Sequence, residues 1–464
     1  MDAAFRFAEN IVNTSYDNLP SEVVEITKKS ILDTLGVMVG ASGMGEEVGI
    51  RQIVDLVREG GGKEESSILG FGGKTVSWMA AFVNGAMAHI LDYDDSSDSG
   101  GAHPTCETLP GALAIAERIG GVTGKEFITA VALGIDLATR LGNALNKNFI
   151  NYGWLGPAIF GYFGNTAAAC KLLKMSRDQI VNAFGLALDQ TAGTLGSLSG
   201  QGSSFRAIRD GFSARGGVMS ALLAEGGVTG NKDLLEGEYG LFNMYFKGDY
   251  DSNKLTVNLG KVFEGVNVSF KPWPSGRCTH TAITAVLDII NEHGLKPENI
   301  NEITVFGGDF SRMIFESGSP DQRRRPQSNI DAKASLPFII GAAAARGNIT
   351  LDTFTSNGRN DQQVLEMTQK VLFKYDKRFN ATGYEGVLVE IKTKDKSRYS
   401  KEVDFAYGHP ENPISMEDLL VKFKDCISHA IRPIPKSTTE RVIQIIDELE
   451  KTDDVCRLAQ ILSP

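Results

Sequence analysis

Cysteine is scarce: Cys106, Cys170, Cys278, Cys426 and Cys456 are scattered through 464 residues, odd in number and without a CxxC pair. That pattern excludes a disulfide framework and gives no zinc-site spacing, and it fits a reducing cytoplasm. A basic excess is also missing. The formal net charge of -10 argues against a nucleic-acid-binding surface, although a few Lys and Arg residues can still make one pocket positive. No apolar run reaches membrane-spanning length, so no membrane partner is expected. The opening MDAAFRFAENIV carries Asp and Glu and has no signal-peptide core, so a cytoplasmic location is expected. Repeats and low-complexity tracts are absent. What remains is an ordinary soluble composition, with length enough for two or three domains.

The charge that is present gathers in one unusual place. Ala80 to Arg118, AAFVNGAMAHILDYDDSSDSGGAHPTCETLPGALAIAER, has two apolar, Ala-rich runs around a polar insert. Phe82, Val83, Met87, Ile90 and Leu91 before it, and Leu109, Leu113 and Ile115 after it, have helical spacing. The insert holds four aspartates, three serines, two adjacent glycines and a His-Pro pair, as a loop between helices would. A carboxylate or imidazole at the mouth of a buried helix pair must be paired, hydrogen-bonded or functional. Asp92, Tyr93, Asp94, Asp95, Ser96 and His103 are therefore the first candidates for chemistry. Asp92, Asp94, Ser96 and Asp98 alternate as in a calcium loop, but Ser97 stands where the turn glycine belongs and His103 where a bidentate Glu belongs. A magnesium site stays open on ligand chemistry alone. The alternative is that Asp94, Asp95 and Asp98 cap the next helix and face water. His103, one of six histidines, lies in a Gly-rich turn beside the acidic run, where an imidazole can exchange protons near neutral pH.

Along the chain, Ser21–Val39, Glu46–Arg58, Gly124–Leu141, Tyr162–Leu173, Arg177–Gly193 and Gly211–Glu225 read as helices, with a break expected at Gly40 to Gly45. Small residues throughout suit close helix packing in a multi-helix bundle. Near Val266 the character changes. NVSFKPWPSGRCTH (Asn267 to His280) reads as a domain junction, followed by a helix (Ala282 to Glu292) and a strand-like EITVFGG. Ala332 to Ala345 is helical, and GVLVEIKTKDKSRYSKEV alternates with period two at Val387, Val389 and Ile391. A smaller α+β domain with antiparallel-type strands is expected over residues 267–409, after a helical part over 1–266 and before a helical return over 410–464.

Three further groups of residues matter. GTLGSLSGQGSSFRAIRDG has a scatter of glycines but no following GKS/T, so a phosphate loop is not expected. Its Arg206 and Arg209 are either a carboxylate clamp or a solvated helix start. Lys271, Arg277 and His280 share the stiff junction segment and suit a polycarboxylate, because interdomain clefts are favoured ligand sites. Arg323, Arg324 and Arg325 read as a solvated basic loop.

ILDTLGVMVGAS, FVNGAMAHILDYDDS with its following HP, GYFGNTAAACKLLKM, FKPWPSGRCTH, RRRPQSNIDAKASLPF and YGHPENPISMEDLLVKF together resemble the MmgE/PrpD family, over nearly the whole length. That family includes 2-methylcitrate dehydratase, cis-aconitate decarboxylase and iminodisuccinate epimerase. The resemblance implies a mainly α fold: a large all-helical domain from both chain ends, an inserted smaller α+β lid domain, a homodimer, and an active site between the domains without metal or organic cofactor. It also implies functional positions at Asp92, Ser96, His103, Arg206 and Lys271. Ser96 stands for a threonine and Arg206 for a lysine. Leu155 occupies a place where members often carry histidine, and Phe338 one where tyrosine is often found. A proton donor and a hydroxyl are gone while a fixed charge is kept, which favours a more apolar or smaller substrate on that side.

The expected activity is a cofactor-independent lyase that adds or removes water on a di- or tricarboxylic acid. His103 would transfer the proton alpha to a carboxylate and Asp92 would orient it, while Lys271, Arg206 and Arg277 hold carboxylates. Ser96 would contact a carboxylate or hydroxyl, with His280, Leu155 and Phe338 completing the pocket. Decarboxylation of a cis-aconitate-like acid and epimerisation of an iminodisuccinate-like acid use the same apparatus. A carboxylate-binding homologue without turnover, and a metal-dependent hydrolase, are the readings from other classes.

Overall fold

A computed structural model of the chain describes residues 2–199, 204–316, 318–381 and 386–464. They form two compact units, Met1–Val268 with Lys422–Pro464, and Ser269–Val421. Helix dominates and strands are few, so the architecture is mainly α, with the larger sheet confined to the smaller unit.

In the larger unit the helices that matter are α1 (Ser21–Met44), α2 (Ser77–Ile90), α3 (Leu109–Ile119), α4 (Gly124–Asn143), α5 (Gly156–Leu172) and α6 (Phe205–Glu225). The break expected at Gly40 does not occur: α1 runs on to Met44. Its glycines are there for packing. A Cβ at Gly36 would stand 2.7 Å from the Phe423 ring, and one at Gly40 2.9 Å from the Cys426 carbonyl oxygen. The Lys422–Ser428 part of the helix Met416–Ser428 therefore lies almost backbone to backbone on α1. The return to the larger unit falls inside that helix, at Lys422, rather than at residue 410.

The same device joins α2 to α6. A Cβ at Gly85 would meet the Asp210 carbonyl oxygen at 2.7 Å, and one at Gly211 would meet that of Phe82 at 2.5 Å. Phe82 and Phe212 close the contact edge to face, with ring centroids 5.0 Å apart. This approach sets His89, on the last turn of α2, against Arg209 on the first turns of α6.

The smaller unit is built on a four-stranded sheet: β1 (Ile300–Gly307), β2 (Val371–Tyr375), β3 (Val387–Thr393) and β4 (Arg398–Val403), in the order β2-β1-β3-β4. Val387, Val389 and Ile391 turn inward with the expected period of two. One pairing departs from the antiparallel expectation, since β1 and β2 run parallel, with Ile303 opposite Val371. Helices α7 (His280–His293) and α8 (Leu336–Arg346) supply much of the remaining core. The Arg323–Arg325 run is not simply a solvated loop. Arg323 donates to the Ala334 carbonyl (2.9 Å), and Arg324 donates to those of Thr368 (3.2 Å) and Val371 (3.0 Å). These two side chains fasten local structure.

Candidate active site

The polar insert between α2 and α3 folds into the larger unit instead of facing water. Asp94 and Asp95 are fully buried, so the solvent-facing role expected of them is wrong. The loop is closed by backbone bonds from Ser97 N–H to the Ala102 carbonyl and from Gly101 N–H to the Ser97 carbonyl, both 2.8 Å. Gly101 takes φ +64°, a turn conformation that a side chain would strain. His103 leaves this turn with its backbone N–H on Glu107 Oε1 at 2.7 Å.

Asp94 is the centre of the arrangement. Its Oδ2 lies 2.8 Å from His103 Nδ1, and its two oxygens lie 3.1 and 3.0 Å from His89 Nδ1. The imidazole rings meet edge to face, centroids 4.7 Å apart. His103 Nδ1 also faces the Asp95 carbonyl at 3.1 Å. Both neighbours are acceptors, so this nitrogen carries the proton. Nε2 of neutral His103 is then the available base, and it has no hydrogen-bond partner among the described residues. The His103 side chain is 17% exposed, against 1% for His89 and 0% for Asp94.

His89 is held the other way round. Its Nε2 lies 2.6 Å from Arg209 Nη1. A guanidinium only donates, so Nε2 accepts and the proton of His89 sits on Nδ1, toward Asp94. Burial, reinforced by the charge of Arg209, pulls His89 down to about 4, with Asp94 opposing. Burial also pushes Asp95 up to about 7, against hydrogen bonds from the Thr105 hydroxyl and backbone N–H. Glu107 is driven well above the carboxylate range by burial and then by Asp210.

The carboxylate that orients His103 is thus Asp94 and not Asp92. Asp92, two residues past the end of α2, takes the left-handed region, φ +52°, which Asp tolerates better than most residues. From there it pairs with Arg206 Nη2 at 3.1 Å. Ser96 is buried and donates to Asp98 at 3.2 Å. Arg209 is buried on α6 and bonds the Arg206 carbonyl as well as His89, so it is no solvated helix start. Leu155 is buried at the start of α5, its N–H on the Gly193 carbonyl at 2.8 Å. Gly200 and Gly202 of the glycine scatter lie outside the described residues.

Lys271, Arg277, His280 and Phe338 belong to the smaller unit. Lys271 is fully buried, and Arg277 donates to the Ser269 hydroxyl at 3.4 Å. His280 is buried with Nε2 3.3 Å from the Ser275 carbonyl. Phe338 sits in the hydrophobic core, 6.3 Å from Phe354 between centroids.

Two sets of side chains have a metal-like grouping, His89 with Asp94 and His103, and His89 with Cys106 and Asp210. They do not fit an ion. Both need a lone pair on His89, whose Nε2 faces a guanidinium and whose Nδ1 carries a proton. Burial raises the Cys106 thiol well above its ordinary range, away from the thiolate that a metal requires.

Residues 6–253 match the MmgE/PrpD N-terminal domain and residues 273–451 the MmgE/PrpD C-terminal domain. The chain belongs to the MmgE/PrpD family. Among curated MmgE/PrpD relatives, it is 26% identical to cis-aconitate decarboxylase of Mus musculus over 98% of this chain and 92% of that protein. The cis-aconitate decarboxylase of Aspergillus terreus is 24% identical over 97% and 94%. The 2-methylcitrate dehydratase of Salmonella typhimurium is 22% identical over 79% and 78%. Among the described residues, no helix is long and apolar enough to cross a membrane.

Proposed function

We propose that this MmgE/PrpD chain is a lyase acting on a di- or tricarboxylic acid by proton transfer alpha to a carboxylate, with dehydration as the overall reaction. The observation that carries the reading is the His103–Asp94 pair, a partly exposed imidazole anchored through Nδ1 on a buried carboxylate with Nε2 left over. Nε2 takes the carbon-bound proton, Asp94 stabilises the imidazolium that forms, and that imidazolium passes the proton to the hydroxyl on the adjacent carbon, which departs as water. Lys271 and Arg277 are proposed to bind carboxylates and to stabilise the charge that develops. Arg206 is given the same task through its partly exposed guanidinium, 29% accessible beside Asp92. A resident metal has no part in this scheme, so a chelator leaves turnover unchanged. A cytoplasmic homodimer is the proposed working form, checked by light scattering.

Decarboxylation is the second reading, favoured by relatives of that name that align along 98% of the chain. There the carbon–carbon bond breaks, carbon dioxide leaves, and protonated His103 returns its proton to carbon.

Incubation with a panel of di- and tricarboxylic acids in heavy water, followed by mass spectrometry, decides between them. Loss of water supports the first reading and loss of carbon dioxide the second. Deuterium gain alone indicates epimerisation. Thermal stabilisation by an acid that is never converted would overturn the enzymatic reading.

A further inference from the structure

The proton-transfer reading leaves His89, Arg209 and Asp210 unused, although all three are buried beside His103's partner. Two imidazoles share one carboxylate there, and either could in principle take up charge. Only one of them faces a permanent cation. Arg209 Nη1 lies 2.6 Å from His89 Nε2, is held in place by the Arg206 carbonyl at 2.8 Å, and has its Nε 3.4 Å from Asp210. Protonating His89 would drive two N–H donors against each other in a buried place.

We propose that His89 is a positioning residue, locked by Arg209 as a neutral Nδ1–H donor to Asp94 so that His103 alone of the two imidazoles takes up charge. The lock also steers Asp94, which receives His89 and His103 on one carboxylate and cannot rotate without losing one of them. The titratable and charged groups around His89 are Arg209 and Asp210 from α6, and Asp94, His103 and Cys106 from the insert. Asp95 and Glu107 stand behind the insert, Asp95 with its carbonyl on His103 Nδ1 and Glu107 bonded to the His103 backbone. The inference rests on the reading of His103 as the proton-transfer group, but its test is separate.

The test follows the histidine ring signals by NMR in full-length protein labelled at histidine, without substrate. In the wild-type chain His89 should keep a neutral, Nδ1-protonated signature from about pH 9 to 5. In Arg209→Gln the midpoint of His89 should rise by at least about one pH unit and enter that range. Titration of His89 in the wild type, or a His89 that stays neutral in Arg209→Gln, would overturn the lock. Should Arg209→Gln not fold, two substitutions at His89 replace it. His89→Gln offers one donor and one acceptor and should leave the His103 midpoint within about 0.3 units. His89→Leu, which leaves Asp94 to His103 alone, should move it up by about half a unit or more. Equal midpoints in the two variants would count against the proposal. Unchanged turnover in His103→Gln would instead remove the functional reading and leave the titration result standing.

Discussion

Asp136 with Arg140, and Asp94 with His89, His103 and Arg209, are both buried charge clusters of the larger unit, and they are finished differently. Arg140 gives Nε to both Asp136 oxygens (3.0 and 2.9 Å), Nη1 to the Val257 carbonyl (3.0 Å) and Nη2 to that of Val262 (2.6 Å). Asp136 also accepts the Glu264 N–H at 2.8 Å. That cluster is saturated and shut, and its work is to hold the chain after residue 255 against α4. The Asp94 cluster is shut on the Arg209 side and unfinished on the other, where His103 keeps a nitrogen with no partner among the described residues. Burial and charge are common to both. The unsatisfied atom on a partly exposed ring separates a site from a fastening.

The comparison can be broken at either end. His103→Gln should lower turnover by roughly a hundred- to ten-thousandfold with melting temperature little changed, read by steady-state kinetics beside a thermal melt. Unaltered turnover would make the Asp94 cluster a second fastening. Arg140→Met should do the opposite, costing roughly 3–5 kcal/mol in denaturant unfolding while turnover per folded molecule is kept.

Asp95 sharpens the contrast through pH. Its folded value near 7 lies above its ordinary one, so the folded state holds a proton there that the unfolded chain releases near pH 4. The stability this provides is complete below the unfolded value and lost as pH rises through 7. Asp95→Asn cannot titrate. Against it, the wild type should therefore lose roughly 2–4 kcal/mol between pH 4 and 8, measured as paired unfolding curves. A gap that does not change with pH would show that Asp95 stays ionised in the fold.

Smaller effects separate the two aspartates. Asp94→Asn should cost about ten- to a hundredfold in turnover, because an amide holds the His103 tautomer less well than a carboxylate. Asp92→Asn should cost less than about tenfold, since Asp92 reaches Arg206 and not His103. The reverse order would restore Asp92 as the orienting group.

Most of the fold could be read from residue spacing. Helical periodicity located the elements of the larger unit, and the alternation at Val387, Val389 and Ile391 marked β3. One error has a plain cause: glycine reads as a helix breaker when its neighbours are unknown, and in α1 it is where another helix comes to rest. His103 was legible because polar residues crowd a loop between apolar runs. Asp94 was legible as a candidate but not in its role, because five adjacent polar residues differ only in which way the folded loop turns them. His89 looked like one more residue of an apolar helix. Its signal was faint, an imidazole on the last turn of that helix five residues before Asp94. Its meaning depends on Arg209, 120 residues further on, and on two glycines that let α2 and α6 touch.

Tyr93, between Asp92 and Asp94, is held from the far end of the chain. Lys422 donates to its carbonyl at 2.6 Å, stands 4.2 Å from the centre of its ring and pairs with Asp33 at 2.6 Å. Lys422 follows Tyr93 by 329 residues. During synthesis the acidic loop is therefore made early and anchored late, and a chain stalled on the ribosome before this lysine has emerged holds the loop without that anchor. Premature termination shortly before codon 422 would be expected to silence the protein even though every residue of the His103 cluster had already been translated.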